Sequence, residues 1–435
     1  MIFNVTSGGG SGQLKSAIIV TAPTGSTVTA TSGSKTKTAT EKNGTWTFQR
    51  LDLGSWVVRA TKGGETATET VEVSDINVYR VTLAYVHIFG IKRDITNASP
   101  AWERTDEAVG MTATASVGTV AGHSDFDQTY PWNGITRETL STGDVMVKIP
   151  RFWFRRYREG DVEHIQIADK EAAGFSLHPA FNHGGVEKKC VYVGAFKMSG
   201  GDYKSVANAN FYTNRTRATY RNGARNKGIG WNIIDISTLS AIQMLVLVEF
   251  ANNNVQQVIG MGNCNGGTGL KTGMCDNVGG LTGIPPGTNG KVYAVWRGIE
   301  EFWGGCYEFI DGIIWESGKY HICNDPDHYA DAVNDSYKAL SYNCAGYTST
   351  ADKYITKTGL DAGDNTHIIL PSEMTNGSET TYQCDTITAN SGIRMCVHGG
   401  NASSGNKAGL FFCRFTAANN TTAENHTSRL MYIPS

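Results

Sequence analysis

The sequence predicts an α+β fold in which a strand-only N-terminal domain precedes a larger mixed domain. Three observations predict it. Residues 17–85 alternate apolar and polar side chains with a period of two, one later segment has the apolar spacing of a helix, and the rest combines short strand-like runs with loops rich in Gly, Asn, Ser and Thr. A few helices among many strands indicate an α+β domain, and 51 glycines in 435 residues indicate many turns.

Residues 1–86 are predicted to form a β-sandwich. Short runs rich in Thr and Val, such as STVTATS and ATETVEV, are separated by turn signals such as Asn43-Gly44. The order of strands and turns resembles the small immunoglobulin-like or carboxypeptidase-regulatory-like modules of surface and tail proteins, which serve as spacers or adaptors. A flexible leader is expected at residues 7–12, SGGGSG. The side chains expected to face the core of the sandwich are Trp46, Phe48, Trp56 and Val58.

Residues 87–160 are predicted to be a strand-rich connecting segment. Its clearest strand is Val145–Tyr157, VMVKIPRFWFRRY, in which Pro150 favours an edge position or a bulge. Arginines at the end of this strand would suit phosphate binding, but acidic residues follow them directly, so we expect a solvated strand end with local ion pairs. The arginines are Arg155, Arg156 and Arg158, and the acidic residues are Glu159, Asp161 and Glu163.

Two segments of the C-terminal part, residues 161–435, are predicted to be helical. Ser237–Asn252 has an apolar stripe at helical spacing and a capping box formed by Ser240 and Gln243. The stripe consists of Leu239, Ile242, Val246 and Phe250, together with Leu245. A shorter helix is predicted at Gly298–Ile310, GIEEFWGGCYEFI. The rest of this part is predicted to consist of short strands and long polar loops.

Composition and charge exclude several classes of function. The formal net charge of −2 supplies no basic field for nucleic acid. The longest apolar stretch, Ala241–Ala251, is shorter than the ~20 residues that span a bilayer, so no membrane insertion is expected. The N-terminus lacks a signal-peptide pattern, so we expect a protein made in a cytoplasm and released by lysis. The nine cysteines contain no CxxC pair, which favours reduced thiols, with a Cys264–Cys275 bridge as the alternative.

The sequence contains no GxSxG, HExxH or phosphate-loop motif. We therefore expect no catalytic residue, no cofactor and no metal. A glycan hydrolase would need two carboxylates about 5–9.5 Å apart, but the best candidates are expected to form the solvated acidic edge of a structural helix. A calcium loop is a second alternative. The carboxylates considered for hydrolysis are Glu300, Glu301, Glu308 and Asp311, and those considered for calcium are Asp325, Asp327 and Asp331.

Three stretches of the C-terminal part carry a family resemblance: Arg297–Trp315, Thr380–Gly400 and Gly399–Leu430. In this order they resemble the C-type-lectin-type fold of the phage tail and bacterial surface proteins that retroelements diversify. The framework positions that match are Gly399, Gly400, Gly405, Ala408, Gly409, Phe411 and Ser428-Arg429-Leu430. The resemblance implies a C-type-lectin-like ligand-binding domain, a homotrimer, attachment to a host cell-surface protein or glycan, and contact with other tail proteins through the N-terminal region.

The resemblance also implies which residues form the ligand face. Framework positions would supply backbone and core, and the positions between them would carry side chains that vary through adenine-directed changes of Asn-type codons. Lys407 and Glu424 cannot be reached from such a codon, so they would come from another template codon or be fixed. Surface positions of a rigid sheet tolerate many side chains. We expect Phe412, Arg414 and His426 to supply anchor contacts and the short polar side chains to supply hydrogen bonds. The implied ligand-binding positions are Ala402, Ser403, Ser404, Lys407, Phe412, Cys413, Arg414, Thr416, Ala417, Asn419, Asn420, Thr421, Glu424, Asn425 and His426.

Three other functions are alternatives to host attachment. A bacterial surface adhesin of the same fold would normally need an export signal, and a tail-associated glycan hydrolase would need the carboxylate pair. The same fold family includes the formylglycine-generating oxidase, which holds copper between two nearby cysteines of its final segment. Cys413 fits one of them, but Ala408 stands where the other is expected, and Cys396 lies too far upstream. The sequence therefore predicts a receptor-binding protein of a phage tail, located in the virion, rather than an enzyme.

Overall fold

The computed structural model describes residues 15–201 and 203–434. The chain is mostly β, with 40% strand and 11% helix, as the sequence predicts in outline. It divides into two compact units, Met1–His87 and Ile88–Ser435. The leader predicted at residues 7–12 lies outside the described residues. None of the helices within the described ranges is long and apolar enough to cross a membrane.

The first unit consists of two facing sheets. Alternate residues of each strand point inward, as in Gly54–Lys62, where Trp56, Val58 and Ala60 are buried. Trp46 and Phe48 join them, so the predicted core is confirmed. The three-stranded sheet contains, in spatial order, Thr45–Leu51, Ser16–Thr21 and Val78–Thr82. The four-stranded sheet contains Lys35–Thr38, Thr27–Ser32, Gly54–Lys62 and Glu65–Val73.

The second unit surrounds a buried helix, Ile236–Phe250, every residue of which is buried. Asp235 begins it, because its carboxylate accepts the Thr238 amide at 2.7 Å. The helix predicted here is confirmed, but the predicted capping box is wrong. Ser240 lies inside the helix, and Gln243 donates to the Leu410 carbonyl oxygen at 2.9 Å. The other α-helices in the described residues of this unit are Arg217–Arg225 and Val255–Val258.

The strands of the second unit form several sheets. Its longer strands are Ile88–Asp94, Glu103–Asp106, Thr136–Thr139, Val145–Pro150, Trp153–Glu159, Val162–Ala168, Cys190–Lys197, Trp231–Ile233, Tyr307–Glu316, Lys319–Ile322, Lys338–Asn343, Pro371–Glu373, Thr386–Ala389, Ile393–His398, Cys413–Ala417 and Arg429–Tyr432. Two-residue strands, including His426–Thr427, complete the sheets. All nine cysteines are free and buried.

The structure does not separate the predicted connecting segment, 87–160, from the predicted ligand-binding domain, 161–435. The strand Ile88–Asp94 pairs with Val162–Ala168 over its whole length, and Val145–Pro150 pairs with Cys190–Lys197. Residues from both sides of the predicted boundary therefore share sheets and one hydrophobic core. Because strands pair across the predicted boundary, residues Ile88–Ser435 form a single compact unit.

The predicted strand Val145–Tyr157 is two strands, which separate after Pro150. The ion pairs expected near its end exist, since Glu163 accepts from Arg156 at 2.7 Å and from Arg158 at 3.2 Å. The prediction that this strand end is solvated is wrong for Arg156. Its guanidinium is buried and also donates to the Ile368 carbonyl oxygen at 2.6 Å, so it joins two distant segments of the chain.

The helix predicted at Gly298–Ile310 is wrong. The segment begins in a short strand, Ile299–Glu300, passes through a turn and enters the long strand Tyr307–Glu316. Gly304 and Gly305 have φ of 91° and 65°, in the left-handed region that a right-handed helix cannot contain. The long strand belongs to an eight-stranded sheet that also contains Ile393–His398 and Cys413–Ala417.

Candidate ligand-binding face

The strand Cys413–Ala417 lies inside the eight-stranded sheet. It pairs with Ile393–His398 on one side and with Thr386–Ala389 on the other. Its side chains alternate between buried and half-buried positions, so Cys413, Phe415 and Ala417 are enclosed while Arg414 and Thr416 reach the surface. Because hydrogen bonds to both neighbouring strands fix its backbone, the Cα positions of Arg414 and Thr416 are fixed as well.

Arg414 lies over Tyr307, the first residue of the long strand. Its Nη1 donates to the Tyr307 hydroxyl at 2.9 Å, and its guanidinium carbon is 5.6 Å from the centre of the tyrosine ring. The Tyr307 ring also stacks on Phe412 at 5.8 Å between centroids and lies 5.2 Å from His426. These contacts fix the plane of the guanidinium on an aromatic base.

His426 reaches this cluster from the two-residue strand His426–Thr427, which pairs in parallel with Tyr307–Glu308. Its ring is 5.4 Å from Phe309, and its Nδ1 lies 2.9 Å from the amide oxygen of Asn425. Burial lowers the pKa of His426 to about 4, and the nearby Arg414 guanidinium acts in the same direction. His426 is therefore neutral at neutral pH.

A second arginine lies beside this cluster on the segment before the helix Arg217–Arg225. The Arg215 guanidinium carbon is 5.0 Å from the centre of the Tyr212 ring, and its Nε donates to the Tyr212 hydroxyl at 3.2 Å. The Tyr212 carbonyl oxygen accepts from Thr427 Oγ1 at 2.8 Å, and the Asn214 amide donates to the carbonyl oxygen of residue 423 at 3.0 Å. These bonds attach the segment to the final part of the chain.

The loop at residues 401–407 flanks the same region. The Ala402 amide donates to the Gly305 carbonyl oxygen at 3.0 Å, and the Tyr307 amide donates to the Asn425 carbonyl oxygen at 2.9 Å. The loop 401–407 and residue Asn425, two parts of the predicted face, are therefore hydrogen-bonded to the same short backbone segment, residues 305–307. Lys407, at the far end of the loop, pairs with Asp352 at 3.1 Å.

Twelve of the fifteen predicted ligand positions reach the surface, and three do not. The exposed positions are Ser403, Lys407, Asn419, Asn420, Glu424 and Asn425, and the half-buried ones are Ala402, Ser404, Arg414, Thr416, Thr421 and His426. The expectation of solvent-facing side chains is wrong for Phe412, Cys413 and Ala417, which are 2%, 4% and 3% exposed. Cys413 packs with Phe415 in the main core, whereas Phe412 and Ala417 pack with Met395 in another apolar cluster.

A buried ion pair holds the end of the chain under this face. Arg429 is fully buried and donates to both carboxylate oxygens of Glu308, at 3.1 and 2.7 Å, and to the Gly194 carbonyl oxygen at 2.8 Å. Burial alone would raise the pKa of Glu308, but Arg429 and Lys197 hold it below its usual value. The carboxylate therefore stays charged and paired, which fixes the final strand against the long strand.

The carboxylates considered for catalysis form no solvated acidic edge. All four are at most 1% exposed. Glu300 accepts the Gly273 and Cys275 amides at 2.9 and 2.8 Å, and Glu301 accepts the Asn263 amide at 2.8 Å. They serve as acceptors for loop amides. The remaining two are in ion pairs: Glu308 with Arg429 and Asp311 with Arg221, at 2.7 and 2.5 Å.

Two of the three aspartates proposed as calcium ligands, Asp325 and Asp331, have other partners. Asp325 accepts the Asp327 amide at 3.1 Å, and Asp331 accepts from Arg217 and Arg221, each at 2.8 Å. Within residues 15–201 and 203–434, no group of three or more His, Cys, Asp or Glu side chains is placed to hold a metal ion.

Sequence reasoning missed Tyr307, Tyr212 and Arg215 as members of the face. Tyr307 lies in the segment Gly298–Ile310, for which the sequence predicts a helix, and its side chain is buried. A signal for the other two is present in the sequence, since FYTNRTR at 211–217 alternates aromatic and cationic residues among polar ones. Its position beside the end of the chain depends on hydrogen bonds between residues about 200 positions apart and is not visible locally.

Comparisons with known proteins leave the chain without an assigned family. No family model matches it, and no curated protein matches it. One crystal structure, of a Bacteroides vulgatus protein described as a candidate pore-forming toxin, aligns with 42% of this chain and 76% of its own, at 11% identity and a TM-score of 0.12. A TM-score of this size defines neither a shared fold nor a shared function.

Proposed function

We propose that the chain is the receptor-binding protein of a phage tail, with an immunoglobulin-like first unit and a C-type-lectin-type second unit. The first unit attaches to other tail proteins. The second unit binds a molecule of the host cell surface through Arg414, Thr416, Asn425, His426 and the loop 401–407. Several copies, arranged as a homotrimer in the virion, add avidity. The chain binds this molecule non-covalently and catalyses no reaction on it.

One observation carries this proposal: the strand Cys413–Ala417 has a buried side and a surface side. Its buried side packs into the core, and its backbone is bonded on both edges, while Arg414 and Thr416 reach solvent. Surface side chains of this kind change binding with little effect on folding. A chain whose outward positions can vary independently of its core is suited to following a changing host receptor.

The test is attachment of the full-length chain to bacteria. The wild-type chain is screened against a panel of strains, and a strain that it binds is then used for the variant Arg414→Ala/Asn425→Ala. We expect this variant to lose at least about tenfold in affinity, as for anchor residues of an interface. Unchanged affinity of this variant, or failure of the wild-type chain to attach to any strain, would refute the proposal.

The matched control is Arg155→Ala. Arg155 is also a strand arginine that lies over a tyrosine, with its guanidinium carbon 4.1 Å from the centre of the Tyr157 ring, and it is exposed where Arg414 is half-buried. It belongs to the strand Trp153–Glu159, outside the eight-stranded sheet. Attachment should survive this change. Equal loss in the control and in the face variant would assign the effect to a general loss of surface charge and contradict the proposed face.

We also propose that a retroelement diversifies the exposed positions. The supporting observation is that most of the positions expected to vary reach the surface, while framework residues such as Arg429 and Phe411 are buried. The source genome should contain a reverse transcriptase and a near-copy of the segment that encodes 399–430. Independent isolates should differ at the exposed positions and agree at the buried ones. Differences spread evenly over both classes would contradict this proposal.

A further inference from the structure

The face contains two arginines that each lie over a tyrosine. Arg414 lies over Tyr307, and Arg215 lies over Tyr212. The two stacks are linked through His426: its ring contacts Tyr307, and its carbonyl oxygen and that of Tyr212 both lie 3.0 Å from the Tyr220 hydroxyl. The two arginines are therefore joined by a run of contacts that passes beneath the surface, through the buried Tyr220 and Tyr307.

Neither arginine has a carboxylate partner among residues 15–201 and 203–434. Arg215 donates to the Tyr212 hydroxyl and to the Asn214 carbonyl oxygen, and Arg414 donates to the Tyr307 hydroxyl. The Nε of Arg414 is buried and has no hydrogen-bond partner. This differs from the arginines that hold the fold together, such as Arg429 and Arg221, which are paired with buried carboxylates.

The acidic groups near the face form no direct ion pair with these arginines in the described ranges. Asp352 accepts from Lys407 and from the Thr388 hydroxyl. Lys407 pairs with it directly, and Arg414, beyond ion-pair distance, also lowers the pKa of its carboxyl. Glu424 is exposed on the preceding loop and forms no ion pair within the described ranges. A half-buried guanidinium with free N–H groups gains most from an anion with two acceptor oxygens, because its planar fork matches a carboxylate or a phosphate.

The rest of the face is polar and has no exposed aliphatic or aromatic patch. The large hydrophobic side chains that are exposed in the described residues include Ile229 and Ile393, but none lies between 394 and 434. Protein interfaces depend on an apolar centre that becomes buried. Short hydroxyl and amide side chains around charged anchors are instead suited to a strongly hydrated, polar ligand. The observations therefore favour a carbohydrate over a protein.

We propose that the ligand of this face is an anionic polysaccharide of the cell envelope, bound by Arg414 and Arg215 through its acidic groups. This inference rests on the proposed function, because it names the class of molecule that the face binds. The tyrosines hold the guanidinium planes, and the surrounding Ser, Thr and Asn side chains bind sugar hydroxyls. The acidic group is a carboxylate or a phosphate, which share this recognition chemistry.

The experiment uses envelope polysaccharide extracted from a strain that the full-length chain binds. The extract is immobilised untreated, after reduction of its carboxyl groups to alcohols, or after removal of its phosphate groups. We expect binding to the untreated polymer and a loss of about tenfold or more in affinity after one of the two treatments. The treatment that abolishes binding identifies the acidic group. Full binding after both treatments, or no binding to the untreated polymer, would overturn the inference.

Variants distinguish this inference from the proposed function. Arg215→Ala should weaken binding to the polysaccharide about as much as Arg414→Ala, and Arg414→Lys should restore only part of it because a lysine lacks the fork. Arg155→Ala should bind as the wild type does. Suppose that Arg414→Ala abolishes attachment to cells, while the wild-type chain still binds fully to polysaccharide after reduction of its carboxyl groups and after removal of its phosphate groups. The attachment function then stands and the inference of an anionic ligand fails. If Arg414→Ala changes neither, both fail.

Discussion

Replacing Phe412 and Arg414 separately by alanine tests which side of the final sheet faces the solvent. Phe412 is 2% exposed, and its ring stacks on Tyr307 at 5.8 Å between centroids. Removal of a buried phenylalanine ring costs about 3–5 kcal/mol, because apolar contacts are lost and a cavity remains. Arg414 is half-buried and has no ion pair within the described ranges, so its removal should cost about 1 kcal/mol or less.

These free energies predict different melting temperatures. Unfolding of a unit of about 350 residues carries an entropy of about 0.7 kcal/mol per kelvin, from ~2.1 cal/mol/K per residue. Phe412→Ala should therefore lower the Tm of the second unit by about 4–7 °C, and Arg414→Ala by about 1 °C or less. Differential scanning calorimetry of the full-length chain measures both. If Phe412→Ala lowers the Tm no more than Arg414→Ala does, the ring is exposed and the described packing is wrong.

Two further predictions concern the buried charges. Glu308→Gln should lower the free energy of unfolding, measured in urea, by about 3–5 kcal/mol, because Arg429 would stay buried without its counter-charge. The control is Glu316→Gln, at the exposed end of the same strand, which should change this free energy little. Equal effects of the two changes would contradict the buried ion pair. Burial raises the pKa of Glu301 to about 8. Its folded pKa is thus above the unfolded value of 4.5, so this group makes wild-type stability fall as the pH rises from about 4.5 to about 8, with no further loss above that. Glu301→Gln should therefore lose less Tm than the wild type between about pH 5 and pH 8; an equal loss would refute this.

The sequence predicts those parts of the fold that are determined by the pattern of apolar and polar residues within one strand or one helix. The inward alternation that buries Trp46, Phe48, Trp56 and Val58 is visible within single strands. The helix Ile236–Phe250 was predicted because its apolar residues recur at helical spacing. Its capping residue was not, because Ser240 and Gln243 have distant partners that no local pattern shows.

The errors occur where distant groups decide the local structure. The segment Gly298–Ile310 has glutamates and aromatics in a helix-like order, but Glu300 and Glu301 accept backbone amides of residues 263–294 and are buried for that reason. Gly304 and Gly305 then turn the chain in left-handed conformations. The prediction that Phe412 faces the solvent is wrong for a related reason. Phe412 lies just before the strand Cys413–Ala417, so the alternation that exposes Arg414 does not apply to it. Its ring is instead buried against Tyr307, the tyrosine over which Arg414 lies.

The placement of charge explains how one sheet can combine a fixed core with a variable surface. Every acceptor of Arg429 is either the Glu308 carboxylate or a backbone carbonyl oxygen, as at Gly194 and Glu300. None belongs to an outward side chain of the face, so changes at Arg414 or Asn425 leave this bonding intact. The free energy that fixes the final strand thus comes from groups outside the proposed ligand face. The proposed diversification of that face therefore requires only that its outward side chains change, because the buried bonding that stabilises the fold does not involve them.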